Sequence, residues 1–130
     1  MISNQEKTEL AQKFLAGLRS SDWNLLKSLM TEDVVWSLPG KSRISGDAQG
    51  ADAVVLRAQR IVDYGMNFTL KNILLGLHGV ALSLHNTARR GDLVFDLHLA
   101  TVFTLRDGKI SAINTYMSDV DMVDAFFVPI

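Results

Sequence analysis

The periodicity of the apolar residues changes at Gly65, and this change limits the folds open to the chain. Before it, apolar residues recur at helical spacing in two long segments, Asn4 to Arg19 and Ala51 to Tyr64. After it, apolar and polar residues alternate, as they do along strands with one buried face. Helical periodicity followed by strand-like alternation predicts helices packed on an antiparallel sheet, which is an α+β plan.

Shorter signals divide the first half of the chain. Ser3 and Glu6 have the spacing of a capping box at the start of the first helix. A second, short helix is predicted from Trp23 to Met30, and a short strand from Asp33 to Leu38. The glycine- and serine-containing stretch from Gly40 to Gly50 is predicted to be a loop.

The second half predicts four long strands. They span Phe68 to Leu75, Val80 to Ala88, Leu93 to Leu105 and Ile110 to Ser118. Asp107-Gly108 supplies the positive φ that a tight hairpin turn requires. The apolar tail from Ala125 to Ile130 is expected to pack on its own domain or on a second subunit. We expect one domain over residues 1–130, with a curved sheet of four long strands and a short one wrapped around three helices.

Composition excludes several classes of function. Thirteen basic residues against fourteen acidic ones give a net charge of -1, and only Arg89-Arg90 forms a basic block, so nucleic-acid binding is not expected. The absence of cysteine excludes disulfides and thiolate chemistry and suits a reducing compartment. No signal peptide or membrane span is indicated, and a cytoplasmic location is expected.

Two motifs resemble a known family. They are Trp36-Ser37-Leu38-Pro39-Gly40, and the hairpin that runs from Arg106-Asp107-Gly108-Lys109-Ile110 to Tyr116-Met117-Ser118-Asp119-Val120-Asp121. With the order of elements, they resemble the SnoaL-like branch of the nuclear-transport-factor-2-like superfamily, which includes steroid isomerases, polyketide cyclases, epoxide hydrolases and dehydratases. The resemblance implies a cone-shaped α+β barrel with an apolar pocket, dimeric through the outer face of its sheet. It does not define the reaction.

The resemblance also implies where catalytic groups would stand. Ketosteroid isomerase uses a tyrosine, a carboxylate base and a protonated aspartate. The corresponding positions here are Phe14, Leu38 and Thr101, none of which can fill those roles. The epoxide hydrolase positions correspond to Ile113 and Thr115, again without a carboxylate. Both standard mechanisms are therefore disfavoured.

By the same correspondence, a set of apolar and hydroxyl side chains faces the cavity. The set is Phe14, Leu18, Trp36, Leu38, Ser83, His85, Thr87, Phe95, Leu97, Leu99, Thr101, Phe103, Ile113, Thr115 and Met117. His85 is the one titratable member and hence the candidate catalytic acid or base, with an unperturbed pKa of about 6.5. The alternative for His85 is a histidine hydrogen-bonded within a polar wall.

The outward face of the long strands is expected to contact a second copy of the chain. Asp96 and His98 alternate with the cavity-facing residues, and Asn114 and Tyr116 share their face. Three histidines do not show the spacing of a metal site, so neither a metal nor a cofactor is expected.

Three kinds of function remain open at this point. The protein could bind a small hydrophobic, steroid- or polyketide-like molecule without turning it over. It could instead be an isomerase- or cyclase-like enzyme that uses His85. The third alternative is a dimeric interaction module whose pocket is vestigial.

Overall fold

The computed structural model describes residues 2–129 of the chain. Four helices and six strands lie within this range. The helices are α1 (Asn4–Ser20), α2 (Trp23–Ser28), α3 (Ala51–Asp63) and α4 (Val120–Phe126). The strands are β1 (Met30–Leu38), β2 (Gly46–Gln49), β3 (Asn67–Leu75), β4 (Gly79–Arg90), β5 (Leu93–Arg106) and β6 (Lys109–Met117).

The strands make one sheet in the order β2-β1-β6-β5-β4-β3. All neighbours are antiparallel except β1 and β6, which run parallel with Val35 opposite Ala112. The sheet curves but does not close, and helices cover its concave face. The predicted α+β fold is confirmed. Two elements were not predicted: β2 lies in the stretch expected to be loop, and α4 follows the last predicted strand and overlaps the start of the C-terminal tail.

A local signal begins helix α1 as the sequence predicts. Ser3 Oγ accepts a hydrogen bond from the Glu6 amide at 3.1 Å, and the Ser3 amide donates to Glu6 Oε1 at 3.1 Å. This reciprocal capping box satisfies two amide groups that the start of a helix leaves free. Helix α1 then buries Leu10, Phe14 and Leu18 toward the sheet.

Hairpin geometry decides which side chains face inward. Between β4 and β5, Arg90 pairs with Leu93 and leaves Gly91 and Asp92 as the turn. Even-numbered residues of β4 therefore share a face with odd-numbered residues of β5, so Asn86 lies opposite Leu97. Between β5 and β6, a β-bulge near Thr104 shifts the register, and odd-numbered residues share a face in both strands.

The C-terminal tail packs on its own domain. Asp119 caps α4 by accepting a hydrogen bond from the Met122 amide at 3.0 Å. Phe126 and Phe127 are buried against Phe95, with ring centroids 5.0 and 5.6 Å away. Their aromatic surface explains why so short a helix is stable. Ile130, the last residue of the predicted tail, lies outside the described residues. Among the helices of residues 2–129, none is long and apolar enough to cross a membrane.

Candidate functional site

An apolar cavity lies between the concave face of the sheet and helices α1, α3 and α4. Its volume is about 50 Å³, taken as the space that the centre of a water-sized sphere can occupy. A site needs roughly 10 to 15 Å³ by this measure to hold one water molecule. The cavity is therefore larger than the space of one water molecule, but it is narrow.

Most of the residues expected in the cavity wall are brought together there. Those that line it are Phe14, Leu18, Trp36, Leu38, Leu97, Leu99, Thr101, Thr115 and Met117. Phe103 and Ile113 share the inward face but are buried in the core beside the cavity. The Phe103 ring packs at 4.8 Å from the ring of Phe14, so it supports the wall without forming it.

The expected contribution of β4 to the wall is wrong. Ser83, His85 and Thr87 lie on the outward face, because the two-residue turn at Gly91 and Asp92 pairs even with odd positions. His85 is therefore not a cavity acid or base. The inward residues of this strand are Leu82, Leu84 and Asn86.

Further wall residues come from elements distant in sequence. Apart from Phe95, which shares the inward face predicted for β5, they are Ile44, Ile61, Met66, Phe68, Val123 and Phe127. Their apolar character marks them as core candidates, but no local pattern tells which core residues surround a void. The alternation along β4 does indicate which side chains face inward, because Val80, Leu82 and Leu84 are apolar and their neighbours are small or polar.

Three polar side chains interrupt the apolar wall. Trp36 Nε1 donates a hydrogen bond to Thr115 Oγ1 at 2.9 Å, and Thr115 Oγ1 lies 3.5 Å from Thr101 Oγ1. Asn86 is only 6% exposed, and its Oδ1 has no hydrogen-bond partner among the described residues. An unpaired buried amide oxygen costs about 1 to 3 kcal/mol, so Asn86 is the least satisfied group of the cavity.

No carboxylate, imidazole, tyrosine, lysine or arginine belongs to the cavity wall within residues 2–129. A buried charge supports the wall from behind: the Arg57 guanidinium lies 5.4 Å from the Trp36 ring centroid. Arg57 donates to the carbonyl oxygens of Trp36, Ser45 and Gly46 at 2.7, 3.2 and 3.1 Å. Burial lowers the pKa of Arg57 from its usual value.

The outward face of the sheet is polar at its centre. His85 Nε2 lies 2.5 Å from Asp96 Oδ1, and the His85 ring stacks on His98 at 4.3 Å between centroids. Asn114 and Tyr116 follow on β6, and Tyr116 is 65% exposed. The structure thus places Asp96 and His98 away from the cavity, as their alternation predicts.

The family match of the sequence and the structural superpositions indicate the same fold. The SnoaL-like domain family matches residues 11–113, and the chain belongs to that family. An NTF2-like protein from Burkholderia xenovorans LB400 superposes with a TM-score of 0.80 at 20% identity, covering 98% of this chain and 100% of that one. The fold is accordingly the NTF2-like cone.

Two other solved structures are similar along nearly their whole length. Bal32a, from a soil-derived mobile gene cassette, has a TM-score of 0.88 and 27% identity, covering 95% of this chain and 98% of that one. TerC, co-crystallised with polyporic acid, has a TM-score of 0.80 and 19% identity, covering 93% of this chain and 98% of that one. No curated protein matches the sequence.

Proposed function

We propose that the protein binds a small hydrophobic molecule, steroid- or polyketide-like, that carries one hydrogen-bonding group. The observation that carries this proposal is the side-chain oxygen of Asn86, which has no hydrogen-bond partner among the described residues and belongs to a mostly apolar wall. An asparagine amide both donates and accepts, so a hydroxyl or carbonyl of a ligand would complete its hydrogen bonding. Small-molecule sites are typically apolar pockets with a few polar groups that point toward the ligand.

The narrow cavity implies that the ligand displaces wall side chains as it enters. Met66 and Met117 line the cavity, and their unbranched thioether chains change shape more readily than the phenylalanines beside them. TerC, which shares the fold, was co-crystallised with polyporic acid. That co-crystallisation supports the proposal that a protein of this fold accepts an organic ligand.

The wall composition favours binding over turnover. By the family resemblance, Phe14, Leu38 and Thr101 correspond to the isomerase positions, and none of them can move a proton as a carboxylate or tyrosine does. By the same resemblance, Ile113 and Thr115 correspond to the epoxide hydrolase positions, likewise without a carboxylate. With His85 outside the cavity, no described wall residue titrates near neutral pH.

Ligand binding can be followed through Trp36, which lines the cavity. The chain has two tryptophans, so Trp23→Phe leaves Trp36 as the single reporter. We expect polyporic acid, or a hydroxysteroid, to change its fluorescence saturably at one molecule per chain. A panel of both kinds that gives no saturable change at soluble concentrations would contradict the proposal.

Replacing Asn86 by leucine is expected to weaken that binding about tenfold and to raise the free energy of unfolding by about 1 kcal/mol. The affinity falls because the ligand's polar group loses its partner. The stability rises because the unsatisfied amide is removed from an apolar site. Fluorescence titration and urea unfolding measure the two effects.

Thr87→Leu is the matched control for this substitution, since Thr87 lies one residue along β4 and faces outward. Its affinity for the ligand should equal that of the wild type. Equal losses in Asn86→Leu and Thr87→Leu would mean that the ligand does not contact the inward face.

We also propose a homodimer through the outward face, with Asp96, His98, Asn114 and Tyr116 at the contact. The support is Tyr116, a large side chain left mostly exposed on a sheet face. Tyr116→Glu is expected to convert a dimer into a monomer in sedimentation velocity. Leu77→Glu, at an exposed site in the β3–β4 turn, is the control and should leave the dimer intact. A monomeric wild type would contradict this proposal.

A further inference from the structure

Three potential metal ligands converge on the outward face of the sheet. His85 on β4 lies directly opposite His98 on β5, and Asp96 lies two residues before His98 on the same face. One ligand atom from each of the three side chains lies within 4.8 Å of the others. Spacing along the chain does not reveal this group, because His85 reaches the other two only through strand pairing.

The donor set selects a kind of ion. Two imidazole nitrogens and one carboxylate oxygen suit Zn²⁺, Ni²⁺, Co²⁺ or Cu²⁺, whereas Mg²⁺ and Ca²⁺ prefer oxygen ligands alone. Ligands bound to zinc at about 2.0 to 2.1 Å in a tetrahedron are about 3.3 Å apart. His85 Nε2 and Asp96 Oδ1, at 2.5 Å, are already close enough, and the His98 ring must turn toward them.

In a single chain, the surroundings permit an ion to enter; in the homodimer proposed above, Asp96 and His98 lie at the contact, and the ion would bind between the two copies. The His85 side chain is 26% exposed and that of Asp96 is 58% exposed. Both strands are paired in the interior of the sheet, with β3 and β6 on either side, so the backbone holds the three residues in a constant relation. Cross-strand neighbours on one face are close enough for their side chains to meet.

We propose that His85, Asp96 and His98 form a binding site for a divalent transition-metal ion such as Zn²⁺. Coordination would replace the present hydrogen bond between His85 and Asp96 by two bonds to the ion. A fourth position would remain for water. This site lies on the opposite face of the sheet from the cavity, and it does not depend on the ligand proposed there.

Isothermal titration of the full chain, carrying no histidine tag, with zinc chloride tests the proposal. We expect one Zn²⁺ per chain with micromolar affinity. His98→Ala and Asp96→Asn should each weaken binding at least about tenfold, since each removes one of three ligands. His78→Ala is the matched control, because His78 is the third histidine and lies in the β3–β4 turn.

The zinc titrations of the wild type and the variants either support the site or overturn it. Loss of affinity in both site variants, with His78→Ala unchanged and all three variants folded by circular dichroism, supports the site. The proposal is overturned if no saturable binding occurs, or if His98→Ala and Asp96→Asn bind zinc as tightly as the wild type. A Co²⁺ complex with visible absorption bands that disappear in His98→Ala would add a direct sign of coordination by this residue.

Discussion

Replacing Gly79 by alanine is expected to lower the free energy of unfolding by about 3 kcal/mol. A Cβ atom at this position would lie 1.8 Å from the Phe103 carbonyl oxygen and 3.0 Å from its carbonyl carbon. Neither atom can give way like the end of a flexible side chain, because both belong to the backbone of β5. The start of β4 would have to separate from β5, and urea unfolding would measure the cost.

Gly76→Ala is the matched control in the same turn. The nearest atom to its added Cβ is the Gly79 carbonyl oxygen at 3.6 Å, an ordinary contact distance. We expect a change within about 0.5 kcal/mol. If both substitutions prove equally mild, the close approach of β4 and β5 at Gly79 is not the reason for glycine there.

Replacing Arg57 by methionine is expected to lower the free energy of unfolding by about 2 to 3 kcal/mol. Arg57 is only 7% exposed, and its guanidinium donates to the carbonyl oxygens of Trp36, Ser45 and Gly46. Methionine keeps an unbranched stem but leaves those buried acceptors without this partner. Because the lowered pKa of Arg57 shows that burying its charge is itself unfavourable, the net loss is smaller than three full hydrogen bonds.

Arg60→Met provides the comparison for Arg57, one helical turn along α3. Arg60 makes only a 3.5 Å contact to the Arg43 carbonyl oxygen at the surface, so its loss should cost less than about 0.5 kcal/mol. Thermal and urea unfolding of both variants measure the difference. Similar values for the two would show that the buried guanidinium does not hold β1 and the Ser45–Gly46 segment together.

Sequence patterns were enough for the α+β plan but not for every element. Helix α1 is predicted by its capping box, and the β5–β6 turn by Asp107-Gly108, where the φ values are 53° and 79°. These signals are local. Helix α4 has no long amphipathic repeat and is held by Phe126 and Phe127 packing on distant residues, which a local pattern does not show. The parallel pairing of β1 with β6 joins strands separated by most of the chain.

Most residues predicted for the wall on β5 and β6 line the cavity, whereas those predicted on β4 lie on the outward face. Leu97, Leu99 and Thr101 line it as expected, since the apolar face of β5 is unmistakable. On β4, a correspondence with other proteins placed His85 inside, whereas the alternation of Leu82 and Leu84 favours the opposite face. A shift of one residue exchanges the two faces of a strand, so hairpin turn length outweighs family correspondence in such cases.

Successive side chains of β4 point alternately to the interior and to the exterior, and this affects how substitutions act on the protein. Consecutive side chains belong to two surfaces with different chemistry, an interior at Leu84 and Asn86 and a polar exterior at His85. A substitution on one surface therefore need not disturb the other. If the proposed ligand and dimer are correct, the preference for a ligand and the association of copies can change independently through substitutions one position apart on β4.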